Sequence, residues 1–335
     1  MSRILIFRVL SVVLVSSMSG LLCATEPSSN EIDYPDRAIT VLVPYAAGGP
    51  SDTLTRIVTD HMSRTLRQQI KVESIVGAGG TTAALRVKRA APDGYTILTG
   101  NMGTHGAAVG LYPKLAYDPR TDFEPIGILA IAPIVILGRR DLPPKDLREF
   151  VLYLRANAHK LEEGHGGVGS IPFTACLLLN HILGVSPQLV PYDGVEPSIQ
   201  ALVHRQVDYM CVQTVDAVPQ VRAGSVKAYG IAAPERSPAL PDVPTTKEGG
   251  LPEYQLSAWQ GMFVPKGVPT AVVEKLNAAL VRALDDETVR ERMLDLGVNI
   301  PHADQRTPQA LADLVKREVD RWTSFVKAAG MEGAK

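Results

Sequence analysis

Ile39-Thr40-Val41-Leu42-Val43-Pro44-Tyr45-Ala46-Ala47-Gly48-Gly49-Pro50-Ser51-Asp52 passes from a β-branched run through a glycine turn into a helix start. Leu54, Ile57, Val58, Met62 and Leu66 then recur at helical spacing, so a helix follows, capped by Ser51 or Asp52. Ile70 to Val76 reads as a second strand. Gly79-Gly80 opens a second helix that stops at Pro92-Asp93-Gly94, and Tyr95-Thr96-Ile97-Leu98-Thr99 is a third strand. Strand, helix, strand, helix, strand predicts a largely parallel sheet with helices on both faces.

A second unit of the same kind follows. Pro133 to Gly138 reads as a strand, Leu147 to Ala158 as a helix, and Gly164 to Ser170 as a glycine-rich loop. Helices over Phe173–Leu183 and Glu196–His204 alternate with strands over Gln188–Pro191, Val207–Cys211 and Val226–Ala232. Trp259 to Val264 returns to strand, and helices over Thr270–Asp285, Glu287–Leu296 and Pro308–Ala329 close the chain. Two α/β units, with the chain crossing between them more than once, predict two lobes around a cleft. Small ligands sit in such clefts, outside the carboxyl ends of the strands.

At 335 residues the chain holds one large or two medium domains. Its 34 Lys+Arg against 35 Asp+Glu leave no basic excess to hold a nucleic acid. Aromatic residues make up 5%, too few for a stacking surface. The N-terminus carries Arg3 and Arg8, a short apolar run from Val9 to Val15, and Leu22-Cys23-Ala24 before polar residues. That is the layout of a secretory signal peptide over residues 1–24, which places the mature chain outside the cytoplasm. Leu22 is too large for a lipoprotein cleavage site ahead of Cys23. Cys176 and Cys211 lie in apolar surroundings and read as two buried thiols, with a disulfide as the alternative in an oxidising compartment.

The chemical motifs are mostly exclusions. Gly164-His165-Gly166-Gly167-Val168-Gly169 matches GxGxxG, but a dinucleotide site needs a buried strand before it, and charged Lys160-Leu161-Glu162-Glu163 stands there. Val168-Gly169 occupies the place where a phosphate loop carries Gly-Lys. No G-x-S-x-G surrounds Ser170, and the seven histidines show no HExxH spacing. The reading is therefore no catalytic residues, no metal, no cofactor and no enzyme activity. Two glycine turns remain, at Gly48-Gly49 and Gly166–Ser170, each leading into a helix. Their backbone N–H groups and the helix dipole suit an anion such as a carboxylate.

Further runs follow in order: Gly77-Ala78-Gly79-Gly80, Ala91-Pro92-Asp93-Gly94-Tyr95-Thr96, Asp122-Phe123-Glu124-Pro125, Pro191-Tyr192-Asp193-Gly194, Leu240-Pro241-Asp242-Val243-Pro244-Thr245 and Pro265-Lys266-Gly267-Val268-Pro269. Together with Val43–Asp52 they resemble the Bug-type extracytoplasmic solute receptors of tripartite tricarboxylate transporters, from about Tyr34 to the C-terminus. The resemblance implies a two-lobed, type II-like periplasmic binding protein. Lobe 1 would comprise residues 32–130 plus 255–335, and lobe 2 residues 131–254. It implies a monomer that closes on a small organic acid and delivers it to integral membrane subunits of the transporter. The alternative is a sensor that presents its closed form to a membrane signalling partner.

Carried onto this sequence, the pattern places Tyr45, Ala47, Gly48, Gly49, Ser51 and Asp52 on one cleft wall, joined there by Thr104 and His105 after the third strand. Gly169, Ser170, Tyr192, Asp193 and Gln213 face them from lobe 2. The amides of Ala47, Gly48 and Gly49 are expected to hold one carboxylate. Gly169 and Ser170 are expected to hold the ligand from lobe 2. Asp52 is expected to fix its loop, and His105 to be a neutral hydrogen-bonding side chain. Three positions depart from the family pattern: Val212 stands where an acid is usual, Asp193 where a non-acidic residue is common, and Pro172-Phe173-Thr174 where a His-Leu pair often follows Ser170.

Overall fold

The computed structural model describes residues 33–333. The signal-peptide reading over 1–24 lies outside them. Strand β1 (Ile39–Val43) is buried almost throughout, as expected of a strand covered on both faces. Helix α1 (Pro50–Leu66) starts at the fixed φ of Pro50, so its N-cap is Gly49 and not Ser51 or Asp52. β2 (Ile70–Ser74), α2 (Thr81–Lys88) and β3 (Thr96–Asn101) complete the first unit. β1 pairs in parallel with both β2 and β3. A wide helical turn over Gly103–Ala107 then leads into the short α3 (Ala108–Leu111).

β4 (Phe123–Arg139) is 17 residues long, although the sequence predicts a strand only from Pro133. Pro125 and Gly127 disguise its first part. Bulges between Pro125 and Gly127, and between Ile128 and Ala130, absorb them without ending the strand. The second unit runs α4 (Leu147–Asn157), β5 (Glu162–His165), α5 (Ile171–Leu183), β6 (Gln188–Pro191), α6 (Val195–Val203), β7 (Tyr209–Gln213), α7 (Thr214–Arg222) and β8 (Val226–Ile231). The chain returns through β9 (Ser257–Pro265) and ends with α8 (Thr270–Asp285), α9 (Glu287–Asp295) and α10 (Pro308–Ala328).

The sheet order is β2-β1-β3-β9-β4-β7-β5-β6, with β8 also on β4. β4 belongs to both halves. Phe123–Pro133 pairs antiparallel with β9, while Ile134–Arg139 pairs antiparallel with β7 and β8. In the first half β9 runs against the other strands, and in the second half β4 does. Each half is thus largely parallel with one reversed strand, as the sequence predicts.

Two expectations are corrected. A buried strand, β5, does precede the GxGxxG run. Its Glu163 is only 1% exposed, because Asn180 and Tyr209 bond the carboxyl. Cys176 on α5 and Cys211 on β7 are not free thiols but a disulfide. The packing of α5 on β7 sets their Cα atoms 5.2 Å apart, within bonding range. Among the described residues, no helix is long and apolar enough to cross a membrane.

Candidate functional site

The C-terminal ends of β1, β2, β5 and β6 each run into a turn, and these turns face one another. They enclose a cavity of 770 Å³. Pro44–Ala46, Val76–Gly80 and Tyr112 line it from the first half; His165–Val168 and Pro191–Val195 line it from the second. Phe173, Leu189 and Met331 close its side. Among the described residues, no Lys or Arg lies on its wall. An anion there would rest on amides, hydroxyls and imidazole, not on fixed positive charge.

The two halves touch at one edge of this cavity. The Tyr112 hydroxyl donates to the Val168 carbonyl at 2.9 Å. Beside it, Gly79 lies so close that a Cβ would come within 2.5 Å of both that carbonyl and the Tyr112 hydroxyl. A Cβ on Gly103 would likewise meet the Gly169 carbonyl at 2.5 Å. Only glycine permits backbone to approach backbone this closely.

Of the residues singled out from sequence, Tyr45, Tyr192 and Asp193 line the cavity. Asp193 is exposed. Ala47, Gly48, Gly49, Ser51, Asp52, Thr104, His105, Gly169, Ser170 and Gln213 do not line it. The Gly48 N–H donates to the Asp52 carboxylate at 2.9 Å, and the Gly49 N–H to the Ala46 carbonyl at 3.3 Å. The Ser170 N–H donates to the Gly167 carbonyl, and its hydroxyl accepts from the Phe173 N–H as the cap of α5. Three of the five expected amides are therefore engaged within the protein, which leaves Ala47 and Gly169 of that set. Asp52 fixes the loop as expected. Burial alone would raise its pKa, but the bond from Arg56, with those from Gly48 and Ser74, holds it below the usual carboxylate value. Val212 is fully buried in the apolar core of the second half, away from the cavity.

Sequence reasoning missed several residues here. His165 lines the cavity and accepts the Gly167 N–H on Nδ1 at 3.1 Å, which leaves the ring proton on Nε2. Burial lowers its pKa, so it is a neutral donor. Asn101 ends β3 with its Oδ1 accepting from the Tyr45 hydroxyl and the Gly103 and Thr104 amides. Its Nδ2, and both amide atoms of its register partner Gln260 on β9, find no partner among the described residues. The available signal was positional: an amide side chain at the carboxyl end of a central strand.

His105 lies behind this wall, fully buried and stacked on Phe263 at 4.1 Å. Burial pushes its pKa down to about 3, while burial raises that of Glu163 to about 8. Folding excludes a proton from His105 below its unfolded value, so stability falls as pH drops from about 6.5 towards 3. Folding retains a proton on Glu163, so stability falls as pH rises from about 4.5 to 8. Each slope is about 1.4 kcal/mol per pH unit, and the two oppose each other where they overlap. Stability measured by denaturation should therefore lose the His105 contribution as pH falls below about 6.5 and the Glu163 contribution as pH rises above about 4.5. His105→Gln should flatten the acid side, and an unchanged acid limb would contradict the assignment.

The family model for the tripartite tricarboxylate transporter family receptor matches residues 54–331. Among curated proteins, the UPF0065 protein of the TAR-I ttuE-ttuC' intergenic region of Agrobacterium vitis is 41% identical over 297 residues, covering 89% of this chain and 86% of the relative. Among solved structures, MatC from Rhodopseudomonas palustris with bound malate is 52% identical with a TM-score of 0.84, covering 88% of this chain and all of the other. The periplasmic binding protein BugD is 39% identical with a TM-score of 0.84, covering 89% and 99%.

Proposed function

Because the chain belongs to the tripartite tricarboxylate transporter receptor family, we propose that it captures a small dicarboxylate in the cavity between its sheet halves and delivers it to transporter subunits in the membrane. The observation that carries this reading is the cavity itself: turns from both halves, a neutral His165 donor and, among the described residues, no cationic side chain. We assign lobe 1 to residues 32–130 plus 255–335 and lobe 2 to residues 131–254. The chain changes half within β4, near Pro133, and again before Ser257. The signal peptide over 1–24 directs the chain to the periplasm, where the disulfide persists. The role is binding, with no covalent step.

MatC was solved with malate, so four-carbon dicarboxylates are the first candidates for this chain. A wall without Lys or Arg cannot neutralise three carboxylates, and exposed Asp193 at the rim repels a third. An α-ammonium group is expected to bind poorly, since among the described residues the cavity wall carries no buried acid to offset its desolvation. In a thermal-shift and calorimetry series on the mature protein, malate and succinate should bind at least tenfold tighter than citrate or glutamate. A ligand at 100 times its Kd adds about 2.7 kcal/mol of stability. Tight citrate binding, or no response to any dicarboxylate, would overturn the reading.

A further inference from the structure

A second cavity, of 320 Å³, lies beside the cleft and shares Phe173, Leu189 and Met331 with it. The remaining wall comes from the C-terminal part of α5, the turn into β6, and Ala329. Much of that wall is apolar. Its polar members are Asn180, His181 and Ser186, together with Glu163, which lines it from β5 while being 1% exposed. Its Oε2 accepts from Asn180 Nδ2 at 2.5 Å and from the Tyr209 hydroxyl at 3.3 Å. Among the described residues its Oε1 finds no partner, and no Lys or Arg lines the cavity.

We propose that this cavity is a second binding site, for a small primary amine with a short apolar body, its ammonium group bonded to Glu163 Oε1. A carboxyl buried without a positive neighbour is costly to ionise, and an ammonium group supplies both the charge and the donors. The apolar body packs against Phe173, Leu177 and Met331. The site selects the opposite charge from the cleft, so it does not rest on the carboxylate reading. Burial pushes the Glu163 carboxyl up to about 8 despite the bonds from Asn180 and Tyr209, and a cation in contact pulls it down. The groups that face it are Tyr209 on β7 and Tyr254 ahead of β9, both held neutral by burial, with His181 on α5 at the cavity wall.

The test titrates the mature protein with n-butylamine, n-butanol and n-butyrate from pH 7 to 9, followed by protein NMR. Butylamine should bind at least tenfold tighter than butanol, and butyrate should not bind the second cavity. Butylamine affinity should rise about tenfold from pH 7 to 9 as Glu163 ionises. Glu163→Gln should remove both preferences and leave dicarboxylate affinity unchanged. Equal binding of amine and alcohol, a pH-independent amine affinity, or displacement of the amine by malate would overturn the proposal. The wild-type series decides the matter even if Glu163→Gln does not fold, and a dead carboxylate cleft would leave the amine result standing.

Discussion

Replacing Cys176 and Cys211 together by alanine is expected to lower stability by about 4 kcal/mol. The bond closes a loop of 35 residues, and the chain entropy restored to the unfolded state on opening such a loop is of that size. Both residues are fully buried, so truncating the sulfurs adds a small loss of packing. The bond also ties α5 to β7. α5 begins at the turn that lines the cleft, so its first turn should loosen along with the global loss. Urea denaturation of the double variant, and of wild type in excess reductant, should show matching losses. A loss below 1 kcal/mol in both would show that α5 is held on β7 by packing alone.

Gly79→Ala is expected to weaken dicarboxylate binding about 100-fold, or about 2.7 kcal/mol, with the protein still folded. The added Cβ would sit 2.5 Å from the Val168 carbonyl, which is backbone and cannot rotate away. The two halves must therefore part at the edge where they now touch. Gly79 also has φ +60, which costs alanine about 1 kcal/mol. Gly184 has φ +66 with nothing near its Cβ position, so Gly184→Ala carries the same backbone cost without the collision. Calorimetry should find wild-type affinity in Gly184→Ala and a large loss in Gly79→Ala. Equal affinity in the two variants would mean that contact between the halves does not govern binding.

Much of this fold is legible in the sequence because its strands are short, apolar and bounded by Gly and Pro. The parallel β1-β2-β3 unit follows directly from Ile39–Leu98. The first ten residues of β4 do not, since Pro125 and Gly127 look like loop residues until bulges accommodate them. β5 was hidden by Glu162-Glu163, because a buried carboxyl is invisible until Asn180 and Tyr209 arrive from distant positions. The site was legible as a set of turns, not as a set of atoms. Sequence singles out Tyr45, Tyr192 and Asp193, which line the cavity. Which amides remain available depends on the geometry of each turn, and the Asp52 carboxylate takes the Gly48 N–H that looked free. His165 is not legible in the sequence, because its tautomer is set by the Gly167 N–H, a contact that exists only in the folded turn.

The position of β9 between β3 and β4 bears on the order in which the chain can fold. β3 ends at Asn101 and its inner neighbour begins at Ser257, so 156 residues (257 − 101) must emerge before the first half-sheet can close. Until then β3 presents a bare edge and an unfilled apolar face. The second half has its strands from Ile134 to Ile231 in one continuous stretch, and its pairings are more local. It can therefore complete first, while the N-terminal strands wait for the C-terminal third of the chain. A chain built this way keeps its first half-sheet open until more than three-quarters of it has been made, because Ser257 is the start of the strand that closes it.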